Sequence, residues 1–384
     1  MLKTILKNMH SKRTQSVWFS SKNFKKVLNE NSAFQTKRKP VDVSFETDKM
    51  YEAFPSICEE ILDEQLVYHG AYPELRERYS HMLQYIVNID QPRYIGKGIF
   101  TVYAYRILEK PSLLTDDNIK KACILGWCHR MVDATLIIDD DIADVSCLRY
   151  NKPACHSIEG VGRDKATLDA AFIESAIWYL LINHFRSHRF FADILKQTLI
   201  SYAVTNISQR LELTKYNIED LGKYTYSRKG FAFTFPLLRT ALYLANIDDK
   251  DAHNFSNQLS VQMAHFLKFE DDFNGVFNPM SDIQKSCTDI SEGRPSWLAF
   301  QAYQRSSPAQ KRMLREHYGK INEDSTRKCY ELFRELKLDE VFAEYREDFY
   351  NDMYLNIHNN LPKMLPKELY IDFLNFCMTG ALRV

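Results

Sequence analysis

From Ile57 to the end of the chain, apolar residues return every three or four positions, the period of a helix with one face turned to a core. The pattern predicts helices over 57–87, 99–108 and 115–143. It predicts more over 167–187, 190–214, 219–246, 250–276, 295–304, 308–336, 338–356 and 366–379. Between the first two lies "DQPRYIGKG" (Asp90 to Gly98), whose Pro and Gly predict a loop. Thr115, ahead of "DDNIKKACILGWCHRMVDATLIIDDDIAD", predicts an N-cap. No segment repeats at a fixed period. The reading is an all-α domain, a bundle of about ten or more helices with the active residues on facing helices around a central cavity.

Composition narrows the class. Gly and Pro number 12 each in 384 residues, too few for a turn-rich β architecture. The 50 basic and 50 acidic side chains cancel, so no overall field points to nucleic acid or to a membrane surface. No apolar run is long enough for a transmembrane helix. None of the eight cysteines forms a Cys-x-x-Cys pair, and several sit in apolar helical patterns, as reduced thiols do. The first 35 residues differ from the rest. Seven Lys or Arg precede the first acid, Glu30, which fits either a mitochondrial transit peptide or a disordered basic tail, and hence a mitochondrial or a cytoplasmic protein.

Charge is concentrated at two places. "IIDDDIADVSCLRYNKP" (Ile137 to Pro153) sets Asp140 and Asp144 four apart and Asp141 and Asp144 three apart, so all three project from one helix face. Like charges at that spacing repel, and the residues just upstream are apolar, so the cluster calls for a cation. Oxygen-only ligands select a hard ion such as Mg²⁺. "HFLKFEDDFNGVFN" (His265 to Asn278) carries a second site at Asp271 and Asp272, with Gly275 where a third carboxylate would complete the pattern. Two such clusters suggest a diphosphate held between metal ions. Arg149, Arg228, Lys229 and Lys285 are the basic residues placed to bind it.

These residues carry a resemblance. "GWCHRMVDATLIIDDDIADVSCLRYNKP" resembles the first aspartate-rich motif of the trans-isoprenyl diphosphate synthases, farnesyl diphosphate synthases above all, and "FLKFEDDFNGVF" resembles their second. "KSCTDISEGRPSWL" is similar to the segment that follows, and "TNISQRLEL" resembles the helix whose Gln, here Gln209, faces substrate. The similarity spans residues 45–384. It implies the isoprenoid synthase fold, a homodimer, a prenyl diphosphate substrate and about three Mg²⁺ ions on Asp140, Asp141, Asp144, Asp271 and Asp272. It also implies that Arg149 and Lys285 hold the allylic diphosphate, that Lys97 holds the second substrate, isopentenyl diphosphate, and that Thr135 and Leu136 set the depth of the chain pocket.

The departures bear on the second substrate. The family's Arg-Arg after the first motif is Arg149-Tyr150 here, and its glycine-lysine loop is reduced to "RYIGKG". Losing charge-assisted contacts of roughly 1.5–3 kcal/mol each weakens isopentenyl binding and leaves an allylic cation to cyclise, lose a proton or capture water. The pattern resembles the insect terpene synthases derived from farnesyl diphosphate synthases. The expectation is a Mg²⁺-dependent class I sesquiterpene synthase acting on farnesyl diphosphate, making a pheromone or defence terpenoid precursor. The alternative is a divergent farnesyl or geranylgeranyl diphosphate synthase, and a third reading is a non-catalytic homologue, against which the intact aspartates argue. Phe231, Phe233 and Phe235 either offer ring faces to a carbocation or pack the core. Asp133 stands where Gln is usual. It either orients water, stabilises positive charge or makes a structural hydrogen bond.

Overall fold

Twelve α-helices make up nearly all of the described chain, so the predicted class holds. This computed structural model describes residues 41–65, 73–88, 92–143, 146–149, 152–186, 237–277, 289–294, 296–379 and 382–383. In order they are β1 (Val41–Asp42), α1 (Ser44–Gln65), α2 (Pro73–Asn88), α3 (Pro92–Leu108), α4 (Asp116–Ala143), β2 (Leu148–Arg149), β3 (Lys152–Pro153), α5 (Gly162–Phe185) and α6 (Leu237–Leu244). After these come α7 (Lys250–Phe277), α8 (Trp297–Arg305), α9 (Pro308–His317), α10 (Glu323–Glu335), α11 (Leu338–Asn360), α12 (Lys367–Thr379) and β4 (Leu382–Arg383).

α4 is the central element. It packs along α3 on one side and α5 on the other, with α1 across it. Thr115 caps its start as the sequence implies, its Oγ1 accepting from the Asn118 amide at 3.3 Å. Trp127, fully buried, donates its indole N–H to the Met50 carbonyl at 2.8 Å and ties α4 to α1. The main core gathers apolar faces from α1 to α7, α11 and α12, and a second cluster lies under α8 to α11. α7 serves both, with Phe266 in the first and Phe269 in the second.

Three predicted boundaries are corrected. The helix expected over 57–87 is two, α1 and α2, and α1 begins at Ser44 and runs through Pro55. Proline is tolerated there because the residues one turn earlier, Tyr51 and Glu52, are exposed, so the carbonyl left without a donor faces water. The loop expected over 90–98 is helical from Pro92, with proline at the first position where its missing N–H costs nothing. The helix expected over 308–336 breaks after His317, where Gly319 takes a φ of 80° that ends α9. The helix expected over 190–214 and most of 219–246 lie outside the described residues.

Gly98 on α3 and Gly126 on α4 let the two helices meet backbone to backbone. A Cβ on Gly98 would lie 2.5 Å from the Gly126 carbonyl oxygen, and one on Gly126 would lie 2.8 Å from the Gly98 oxygen. Neither neighbour is a flexible side chain, so Gly98→Ala forces the helices apart. A loss of about 3 kcal/mol is expected, the top of the overpacking range. Urea unfolding checks this, and a change below ~0.5 kcal/mol would show that the close approach is not real.

Candidate active site

Gly126, Asp133 and Asp140 are seven residues apart along α4, so they share one stripe with a drift of about 20° per step. Where Gly126 meets α3, the next step up brings Asp133 to Lys97 of α3. Lys97 Nζ donates to Asp133 Oδ1 at 2.7 Å, and both side chains are more than nine-tenths buried. Burial pushes the Asp133 carboxyl above its ordinary value, while Lys97 and Arg130 pull the other way. Its second oxygen, Oδ2, has no hydrogen-bond partner among the described residues. On the same side of α4, His129 Nε2 lies 3.2 Å from Thr240 Oγ1 of α6. Burial, with the charge of Lys97, pushes His129 down to about 3, so its imidazole is neutral.

The stripe opens at the end of α4. Asp140 is partly exposed there, and Asp141 is fully buried. A two-residue pairing of β2 with β3 folds the chain back over the helix end, and the Ser146 amide donates to the Asp141 carbonyl at 3.0 Å. That return brings Arg149 onto the aspartates. Its Nε lies 3.0 and 3.2 Å from the two Asp141 oxygens, its Nη2 also bonds Asp141, and the same nitrogen is 3.5 Å from Asp140. Asp139 adds charge at the rim. Partial burial, with the charges of Glu174 on α5 and of Asp140, pushes its carboxyl up. Both Asp141 oxygens are held by Arg149, so the partly exposed Asp140 is the carboxylate of this pair open to a hard divalent cation.

The second acidic cluster is built differently. Asp271 and Asp272 lie on α7 where it passes between the two cores. Asp272 is buried, its Oδ2 accepting the Trp297 amide at 2.8 Å at the start of α8, where a negative charge is favoured. Its Oδ1 accepts from Lys268, one turn earlier, and the same ammonium lies 3.1 Å from Asp271 Oδ2. Burial alone would lower Lys268, but the charges of Asp272, Asp271 and Asp289 outweigh it and hold the ammonium well above the ordinary lysine value. Both Asp272 oxygens are therefore committed, and as they stand these residues do not fit a divalent ion. Among the described residues, no three His, Cys, Asp or Glu side chains gather within metal-binding range.

Thr135 and Leu136 lie on α4 between Asp133 and Asp140. Thr135 is buried, and its hydroxyl is spent on the Val132 carbonyl at 2.8 Å. Asp144, Tyr150, Gln209, Arg228, Lys229, Phe231, Phe233, Phe235 and Lys285 lie outside the described residues. The sequence reading missed Lys268, Asp289 and His129. Lys268 was legible, because a lysine four before an aspartate on a helix is a standard ion pair.

The polyprenyl synthetase family model matches residues 76–335. The farnesyl pyrophosphate synthase of Murgantia histrionica is 31% identical over 306 residues, 78% of this chain and 74% of that protein. The farnesyl pyrophosphate synthase of Bos taurus is 30% identical over 303 residues, 76% of this chain and 84% of that one. The enzyme of that name from Saccharomyces cerevisiae is 28% identical over 312 residues, covering 78% and 87%. Among solved structures, T. brucei farnesyl diphosphate synthase in complex with a bisphosphonate superposes with a TM-score of 0.74 at 17% identity, covering 86% of this chain and 97% of that one.

Proposed function

The chain belongs to the polyprenyl synthetase family, and from that premise we propose that it ionises an allylic prenyl diphosphate at the open end of α4. The observation that carries the reading is the Asp140–Asp141–Arg149 arrangement, which gathers metal-type carboxylates and an anion-binding guanidinium at one helix end. Asp140 and, by spacing, Asp144 would hold a divalent cation, which would supply the positive charge that a departing diphosphate requires. Arg149 presents two N–H donors in a plane that suits phosphate oxygens, and exchanges its bond to Asp141 for the diphosphate. Lys285 and Gln209 belong to the same reading through the resemblance. We take residues 45–384 as the catalytic domain, residues 1–35 as a leader or tail, and a homodimer as the assembly.

Two fates of the allylic cation are proposed. The first is prenyl transfer to isopentenyl diphosphate, which the relatives support in being named farnesyl pyrophosphate synthases. The second reading, a class I sesquiterpene synthase acting on farnesyl diphosphate, has a specific observation in its favour. Lys97, which the resemblance gives to isopentenyl diphosphate, is buried against Asp133 instead, and Tyr150 stands where the family has an arginine. Two supplies separate the readings, with products identified by mass spectrometry. Geranyl plus isopentenyl diphosphate yields a C15 diphosphate under the first, whereas farnesyl diphosphate alone yields a C15 hydrocarbon or alcohol under the second. No turnover of either supply in Mg²⁺ would overturn the ionisation proposal itself.

A further inference from the structure

We propose that Lys268 is the resident cation of the second acidic cluster, and that its ammonium takes the place there of a divalent metal. The inference rests on the metal-assisted ionisation proposed above and refines which charges assist it. Four observations converge on it. Lys268 Nζ bonds Asp272 and lies 3.1 Å from Asp271. Its side chain is only 15% exposed, so water does not compete for the ammonium. The other Asp272 oxygen is held by the Trp297 amide, so that carboxylate cannot turn outward without leaving the first amide of α8 unbonded. Gly275 stands where a third carboxylate would help a metal to displace the lysine.

A magnesium ion demands oxygens at about 2.0–2.1 Å in near-octahedral order. Here one carboxylate has no oxygen to give, and the other shares its charge with an ammonium beside it. A divalent ion at the same place would sit against Lys268 and be repelled by it. A lysine does part of a metal's work without leaving. It has three donors, and two are spent on Asp271 and Asp272. The third has no partner among the described residues and can reach a phosphate oxygen as a point charge.

The test counts metal ions rather than turnover. Mn²⁺ bound to the full chain is measured by electron paramagnetic resonance with saturating inorganic diphosphate, for the wild type, Asp271→Asn, Lys268→Gln and the double variant. Wild type and Asp271→Asn are expected to bind the same number of ions. Lys268→Gln is expected to bind one more, and the double variant loses it again. Asp271→Asn binding one ion fewer than wild type would overturn the proposal, and so would a folded Lys268→Gln with no added ion. Asp271 is half exposed, so its substitution spares the fold and carries the test even if Lys268→Gln does not fold. Asp140→Ala reads the other premise: an unchanged count there would refute metal at the first cluster and leave the Lys268 result standing.

Discussion

Replacing Asp140 with alanine lowers kcat/KM on any allylic diphosphate by ~10³-fold, about 4 kcal/mol of lost transition-state stabilisation. The size follows from where the residue stands. Asp140 is the partly exposed carboxylate of the first cluster, while Asp141 is fully buried under Arg149. Removing Asp140 therefore takes the accessible carboxylate proposed to bind metal and leaves the buried Arg149–Asp141 pair to keep the helix end folded. Circular dichroism should be unchanged while steady-state turnover collapses. Asp139→Ala, one residue earlier at the rim, loses far less. Undiminished turnover of Asp140→Ala in Mg²⁺ would remove the metal assignment from α4.

The second large effect is on stability. Asp133→Ala takes from the buried Lys97 ammonium the carboxylate it bonds, and a loss of about 3 kcal/mol is expected. Lys97→Met combined with Asp133→Leu replaces the pair by apolar side chains of similar bulk and recovers most of that loss. Urea unfolding of Lys97→Met, Asp133→Leu and the double closes the cycle. Additive losses, with no recovery in the double, would mean that Lys97 and Asp133 do not act as a pair. Repeating the wild-type melt with isopentenyl diphosphate adds a functional reading. A raised Tm means that Lys97 leaves Asp133 for the second substrate, as prenyl transfer requires. An unmoved Tm means that the pair stays shut, as the sesquiterpene reading requires.

What could be read from the chain itself divides along a physical line. The 3.6-residue period reports burial of one face, so long amphipathic helices such as α7 and α12 emerge close to their true bounds. α3 did not, because Gly96 and Gly98 read as breakers until the backbone contact with Gly126 shows why glycine is needed. The first acidic cluster was legible from carboxylate spacing, the second only through its pairing with the first. Their counter-charges were not, since the pairing of Arg149 with Asp141 depends on a hairpin return and that of Lys97 with Asp133 on helices remote in sequence. Lys268 is the exception, a local pair whose four-residue spacing to Asp272 on one helix is visible in the sequence.

β1 and β4 carry a consequence for the order of events in the cell. Val41 pairs in parallel with Leu382, and Asp42 with Arg383, so the first described segment is clasped to the last. A ribosome makes the two nearly a whole domain apart in time. The twelve described helices can begin to pack before the segment that carries β4 is made, and this clasp closes only afterwards. A cut beyond Val41 would strip β4 of its partner, which sets an inner limit on how far the N-terminal side can be trimmed before the clasp is lost.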